Sequence, residues 1–432
     1  MKNLRPYLMT PLFAVIGRSG GILVPFFIAH FYGVSRETDA FFFACAIVMF
    51  FWGVFQQVFE TVLLPFHAEN KRESKEALMA FLRRVLYVTL PVVAMGCFGL
   101  RAVLPGLLGR TSGLDAESTR IVSETFTLLI PFLLLTVWIS AINGVLNSYK
   151  AFWFPAFSPF IRSAVIVAGM YLFHEVLGIY AIPAGFVVGE LIRWGLSLVV
   201  LWRLGFWGVR GKQTAGKSQT SGFWQQSGYQ ILALGAVQII PLINQWCVSW
   251  LGVGDLSLYN YAERLYQIPF QLFLTGQSQI FFSHWADSYY AQSRQEFVRR
   301  VHRSLGVALL VVIGCAMGFW LFRHLLVRFA FGFGEVPPET LSVISNLFGW
   351  LIISLPAAVA NTLLLRVLFV MRKSAGFLVQ SVARLGFQIG LNVLLMRFYG
   401  IEGVGMATLL SVGITTLLLY LHLLWLWRKE SL

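Results

Sequence analysis

Asn260, Arg264, Gln267 and Gln271 recur at spacings of four, three and four residues inside an apolar stretch. On a helix those spacings stack the four side chains on one face. Other polar groups interrupt neighbouring apolar runs: Arg18 in the first, Gln56, Gln57 and Glu60 in the second, Glu190 in the sixth, and Gln238, Asn244 and Gln245 in the seventh. An arginine at the centre of a membrane span costs at least ~2.5–3.5 kcal/mol, so it normally faces a wet cavity or a partner. A cationic surface lined by amides suits an anionic ligand rich in hydrogen-bonding groups. A pyrophosphate attached to a sugar is one such ligand, because the guanidinium fork matches phosphate oxygens. The competing reading is that Arg18 and Arg264 snorkel to an interface, or pair with Glu60 or Glu190. Arg162, Arg193 and Arg384 read as structural or interfacial.

The elements that carry these residues follow from composition. Hydrophobic residues make up 57% of the 432 and charged residues only 12%, against roughly 25% charged in soluble chains. Mean hydropathy is +0.73. The deficit of charge runs along the whole chain, which excludes a soluble enzyme on a single anchor. The first apolar run lacks a small-residue cleavage site and reads as a retained span. Twelve stretches are long enough to span a bilayer, near 8–32, 39–65, 84–107, 121–147, 152–174, 178–204, 227–252, 256–284, 304–327, 340–368, 375–396 and 402–427.

The formal charge of +14 is a topology signal more than a nucleic-acid footprint. Of the 33 Lys and Arg, 20 fall in the alternate segments that include both termini, 7 in the opposite set and 6 inside spans. The asymmetry places both termini in the cytoplasm. Cys45, Cys97, Cys247 and Cys315 fall within spans without metal-ligand spacing, and the seven histidines are scattered. No metal site and no cofactor are expected. No G-x-x-x-x-G-K-[ST] loop occurs, so energy would come from the membrane potential or an ion gradient.

An internal repeat organises the chain. Arg162 to Gly178-Ile179 matches Arg384 to Gly400-Ile401 at a constant offset of 222, which Lys150 and Arg372 share. His67-Ala68-Glu69 before Phe81-Leu82-Arg83-Arg84 answers His284-Trp285-Ala286-Asp287 before Phe297-Val298-Arg299-Arg300, and Pro25 answers Pro241. The expectation is an all-α integral membrane fold: two pseudo-symmetric six-helix bundles, residues 1–205 and 227–432, joined by a polar cytoplasmic linker, 206–226. Six spans per half give parallel repeats, whose meeting surface near the midplane would bind substrate.

Four stretches resemble a known family. They are Thr38-Asp39-Ala40-Phe41-Phe42; Leu146-Asn147-Ser148 through Phe154-Pro155-Ala156-Phe157-Ser158-Pro159; Tyr261-Ala262-Glu263-Arg264-Leu265 with Ile268-Pro269; and Phe331-Gly332-Phe333 before Thr340-Leu341. In order and wording they resemble the MviN/MurJ family of lipid II flippases, within the superfamily of multidrug, oligosaccharidyl-lipid and polysaccharide exporters. The resemblance implies roles for Arg18, Asp39, Glu263 and Arg264, the arginines contacting a lipid pyrophosphate. The chain departs from the family where further arginines are usual: those neighbourhoods read Val24-Pro25 and Phe51-Trp52. It also shows about twelve spans where the family has fourteen.

The leading expectation is a flippase in a bacterial cytoplasmic membrane, carrying a polyprenyl-pyrophosphate-linked saccharide by alternating access, as a monomer among membrane lipids. Substrate would meet Arg18, Asp39, Asn260, Glu263, Arg264, Gln267 and Gln271, with Gln56, Glu60, Glu190, Gln238 and Gln245 lining the cavity or coupling an ion. The alternatives are an exopolysaccharide or O-antigen repeat-unit flippase, and a multidrug or metabolite antiporter. A membrane glycosyltransferase fits less well, because Asp115, Glu117, Glu335 and Glu339 sit in short polar turns without paired spacing.

Overall fold

The computed structural model describes residues 5–61, 74–206, 238–291, 294–371 and 374–429, with isolated helical positions between 224 and 235. Every regular element among them is helical: α1 (Arg5–Tyr32), α2 (Arg36–Thr61), α3 (Lys75–Thr111), α4 (Ala116–Ser148), α5 (Trp153–Leu177), a 3₁₀ turn (Gly178–Tyr180) and α6 (Ala181–Arg203). There follow α7 (238–248), α8 (Asp255–Ala291), α9 (Arg294–Leu321), α10 (Arg323–Phe331), α11 (Pro338–Val370), α12 (Ser374–Tyr399) and α13 (Glu402–Lys429). Eleven of the twelve expected spans each fall on one of these helices, the second and seventh over their described parts, while the ninth, 304–327, runs from α9 across the break at Phe322 into α10. Among the described residues nine stretches are long and apolar enough to cross a membrane, and one of them, Trp153–Arg203, contains both α5 and α6. Helices are the dictated solution, since hydrocarbon offers no partner to a free N–H or C=O.

Caps at polar turns start these helices. Ser74 accepts from the Ala77 N–H at 3.0 Å to open α3, and Asp115 accepts from the Ser118 N–H at 2.9 Å to open α4. Before α2, Ser35 and Thr38 cap one another, with the Thr38 N–H on Ser35 Oγ at 3.2 Å and the Ser35 N–H on Thr38 Oγ1 at 2.8 Å. Gly178 and Gly400 end α5 and α12 at φ of 54° and 55°. Those left-handed values favour glycine, and the two residues stand 222 apart, so the repeat reaches the backbone.

The chain divides into two compact units, Met1–Leu242 and Ile243–Leu432, with the border inside α7. Residues 207–223 of the expected linker lie outside the described residues. In the first unit α4 packs against α2, α3 and α6, while α5 joins α1 to α6. In the second, α11 packs against α8, α9 and α13, while α12 pairs with α13. The three pairings of α4 and the α5–α6 pairing recur under the repeat as the three pairings of α11 and the α12–α13 pairing.

Burial sorts the helices by what they face. Two thirds of the apolar window (67%) is buried in α2, α4 and α11, against 22% in α3 and α9. Tyr87, Met95 and Val103 on α3, and Val307, Leu310 and Met317 on α9, are exposed apolar side chains that suit acyl chains.

Candidate functional site

In the first unit the charged residues of α5 and α6 converge. Glu190 is fully buried and accepts from Arg193 Nη1 at 2.8 Å on each oxygen. Arg162 Nη1 reaches the same carboxylate at 3.3 Å, and Thr136 Oγ1 donates at 3.2 Å from α4. Arg193 continues to Ser158 Oγ, at 3.4 Å from Nε and 3.2 Å from Nη2. The Arg162 guanidinium also lies 5.5–5.9 Å from the ring centres of Phe132, Phe186 and Trp52. Close helix approach makes this contact: a Cβ at Gly189 would stand 2.9 Å from the Arg162 Cα. Glu190, a candidate for ion coupling, thus already serves two guanidiniums. Trp52 has the Arg162 cation over its ring.

In the second unit α8 displays the polar stripe. Glu263 and Arg264 are half-buried, and Gln267 bonds to Glu263 one turn along. The Arg264 Nε is enclosed and meets no hydrogen-bond acceptor. Asn260, the first residue of the stripe, is buried and committed elsewhere. It exchanges bonds with Gln245 (Gln245 Nε2 to Asn260 Oδ1 at 2.7 Å, Asn260 Nδ2 to Gln245 Oε1 at 3.0 Å) and donates to the Leu256 carbonyl at 2.7 Å. Two of the expected site residues therefore clamp α7 to α8. Gln271 is half-buried at the far end of the stripe.

Beside that clamp lies a cluster that the sequence reading missed. Asn244 Oδ1 accepts from Gln388 Nε2 at 3.0 Å and from Asn392 Nδ2 at 2.8 Å, while its own amide donates to Tyr259 Oη at 3.0 Å. Gln388 Nε2 also reaches Thr408, and Ser411 Oγ donates to Gln388 Oε1 at 2.5 Å. All these groups are neutral, and Asn244, Gln388, Asn392 and Ser411 are buried. The signal was available, since Gln388 and Asn392 stand four apart in an apolar run.

Asp39 is buried in the first turn of α2, where the helix dipole favours a carboxylate. Gln56 is half-buried, and so is Gln238, which lies against Gly53. The side chains of Arg18, Gln57 and Glu60 lie outside the described residues. Where α3 and α4 approach the Gly178–Tyr180 turn, a cavity of about 740 Å³ is lined by Arg101, Pro105, Thr119, Arg120, Glu124 and Tyr180, among others. Tyr180 donates to Glu124 there. Across the same end of the unit, Arg36 pairs with Glu117 at 2.5 Å and with Asp115 at 3.2 Å.

Comparison with known proteins gives this arrangement its place. The family described as "Lipid II flippase MurJ" matches residues 28–429. The chain is 25% identical over 362 residues to the lipid II flippase MurJ of Burkholderia cenocepacia, covering 80% of this chain and 69% of that protein. It is 22% identical over 416 residues to the probable lipid II flippase MurJ of Thermotoga maritima, covering 95% and 83%. Among solved structures, a lipid II flippase MurJ in an inward closed conformation superposes with a TM-score of 0.83 at 19% identity, over 96% of this chain and 87% of that one. An inward-facing multidrug transporter of the MATE family also reaches 0.83, at 11% identity, over 97% and 100%. At such identities the structures speak for the fold alone. The family match over nearly the whole chain goes further: this chain belongs to the lipid II flippase MurJ family.

Proposed function

We propose that this chain carries lipid II, a polyprenyl-pyrophosphate-linked saccharide, across the bacterial cytoplasmic membrane by alternating access of its two halves. Both termini and the segment 206–226 face the cytoplasm in this reading, and the working unit is a monomer. One observation carries the reading beyond family membership. On the polar face of α8 an arginine holds an enclosed Nε with no acceptor, beside amides that can take sugar hydroxyls or phosphate oxygens. The guanidinium feels the neighbouring Glu263 carboxylate, but its Nε remains a donor without an acceptor, and a passing pyrophosphate would supply one. The chemistry is transport: no bond of the cargo needs to be made or broken.

The test is rescue of a bacterial strain depleted of its own lipid II flippase, alongside transfer of labelled lipid II in proteoliposomes. Rescue with transfer supports the reading. Val24 and Trp52, standing where the family usually has arginines, favour a second one: flipping of another polyprenyl-pyrophosphate saccharide, such as an exopolysaccharide repeat unit. Failure to rescue, with transfer of that cargo, would put the second reading in place of the first.

A further inference from the structure

The repeat lets one half serve as a control for the other. At the offset of 222, Ser158, Arg162, Glu190 and Arg193 of the first unit correspond to Gln380, Arg384, Val412 and Thr415 of the second. The register holds in three dimensions. Gly178 and Gly400 end the corresponding helices with matching φ, and α12 packs on α13 as α5 does on α6. Gly189 abuts Arg162, and its counterpart Ser411 bonds Gln388, one turn beyond Arg384. Glu190 and Val412 are equally buried, at 0% and 1% exposure. The first unit thus surrounds its arginines with a carboxylate, and the second puts an isopropyl group in its place.

What remains in the second unit is a set of donors without acceptors. Arg384 Nε and Gln380 Nε2 are both enclosed, and neither finds a hydrogen-bond partner. The two residues stand four apart on α12, so they share a face. Among the described residues no carboxylate lies within ion-pair distance of Arg384, and the Tyr266 hydroxyl, which bonds Ser354, is its electrostatic neighbour. The nearby amide cluster offers no relief, because Gln388 Oε1 is taken by Ser411 and Asn244 Oδ1 by two amides. A guanidinium cannot lose its proton here, and an unpaired buried donor costs about 1–3 kcal/mol.

We infer that Arg384 and Gln380 form an anion-holding site within the second unit, filled by a phosphate of the cargo during transport. A phosphate brings acceptors, which suit the unpartnered Arg384 Nε and Gln380 Nε2 donors, and its oxygens fit the guanidinium fork. The site lies on α12, on residues other than those of the α8 stripe, and it rests on the proposed reading of an anionic lipid-linked cargo. Val412 is part of the device: by withholding a carboxylate it leaves Arg384 available.

The test compares purified wild type, Arg384→Gln and Val412→Glu, with a polyprenyl pyrophosphate as probe, the matching polyprenol as uncharged control and inorganic pyrophosphate as headgroup alone. Arg384→Gln is expected to weaken polyprenyl pyrophosphate binding by about tenfold or more, the scale of one lost charge-assisted hydrogen bond. Its ligand-free melting temperature should not fall, because no internal partner is lost. Val412→Glu rebuilds the arrangement of the first unit, so it should melt at or above wild type while binding the probe as poorly as Arg384→Gln. Polyprenol binding should be unchanged in both. Wild-type affinity in Arg384→Gln overturns the inference, and so does a lower melting temperature with binding intact, which marks a packing role. If Val412→Glu fails to fold, Arg384→Gln decides alone. If wild type binds neither lipid probe, the cargo reading falls; the anion site then stands or falls on whether Arg384→Gln loses inorganic pyrophosphate.

Discussion

Arg193 and Glu190 meet one turn apart on α6, a single guanidinium nitrogen placed 2.8 Å from both carboxylate oxygens. The pair is buried in a helix that crosses the membrane, and Arg162 of α5 joins it at 3.3 Å. The group ties α4, α5 and α6 together. Replacing Glu190 with Gln would leave two guanidiniums facing a neutral amide. Removing one partner of a buried ion pair costs about 3–5 kcal/mol. The variant should therefore accumulate poorly in the membrane and melt well below wild type in detergent. A Glu190→Gln protein of normal abundance and melting temperature would show the clamp to be dispensable, and would return Glu190 to the candidates for ion coupling.

The amide cluster of the second unit makes a different prediction, because it holds no charge. Asn244 bridges Tyr259 on α8 to Gln388 and Asn392 on α12, so it stitches three helices. Interhelical hydrogen bonds in membranes average about 0.6 kcal/mol and reach about 1.7. A double-mutant cycle of Asn244→Ala and Asn392→Ala, read by unfolding in detergent, should return a coupling in that range. Additive single effects would mean the two amides do not act together.

Much of this was legible beforehand, and the boundary of legibility has a physical reason. Spans, repeat and the α8 stripe are properties of one helix at a time, so periodicity reveals them. Partners across helices are not. Asn260 looked like a cargo contact because it shares a face with Arg264, yet its amide is spent on Gln245 of α7. Glu190 read as a cavity or ion-coupling acid, because its second guanidinium arrives from 28 residues away. Gln388 and Asn392 showed the right spacing, but without Asn244 and Ser411 in place nothing marked them as a network. The offset of 222 located Arg384 as the partner of Arg162; the loss of its carboxylate emerged only when Glu190 was seen to bind Arg162.

Acid should loosen the start of α4 before it affects the bilayer core. The Asp115 carboxyl is held below its ordinary 3.8, chiefly by its bonds to Ser118 and further by the Arg36 charge. A depressed folded-state value means that the stabilisation is fully present above the ordinary carboxylate range. It is lost as pH falls through the lowered one. Amide exchange in the first turn of α4 should therefore be unchanged between pH 7 and 5 and faster below about pH 4, after correction for intrinsic rates. Asp115→Asn should remove the pH dependence. A wild-type first turn equally protected at pH 3 would sink the capping account.

Topology follows from charge. With 20 of the 33 Lys and Arg on one side, Ser218 in the polar segment between the halves should face the cytoplasm. A cysteine introduced there as Ser218→Cys should react with an impermeant maleimide only after the membrane is opened. Labelling in intact cells would invert the orientation of every span.

The last expectation returns to Arg264. Its Nε is enclosed without an acceptor, on the half-buried side of α8, next to a Glu263 that Gln267 already engages. If the arginine served the fold, truncation would strand a partner, as at Glu190. No hydrogen-bond partner of its Nε is present to strand, and Glu263, its charged neighbour, keeps the bond from Gln267, so Arg264→Ala should reach the membrane in normal amount and melt only slightly below wild type. Its transfer of labelled lipid II in proteoliposomes should nevertheless collapse, because the guanidinium that would hold the pyrophosphate is gone. Arg264→Lys separates charge from geometry. A lysine keeps the charge but loses the planar fork, so transfer should fall to an intermediate level if two phosphate oxygens are held at once. Equal transfer by the Lys variant and wild type would reduce the role to charge alone. Undiminished transfer by the Ala variant at normal abundance would remove Arg264 from the path of the cargo.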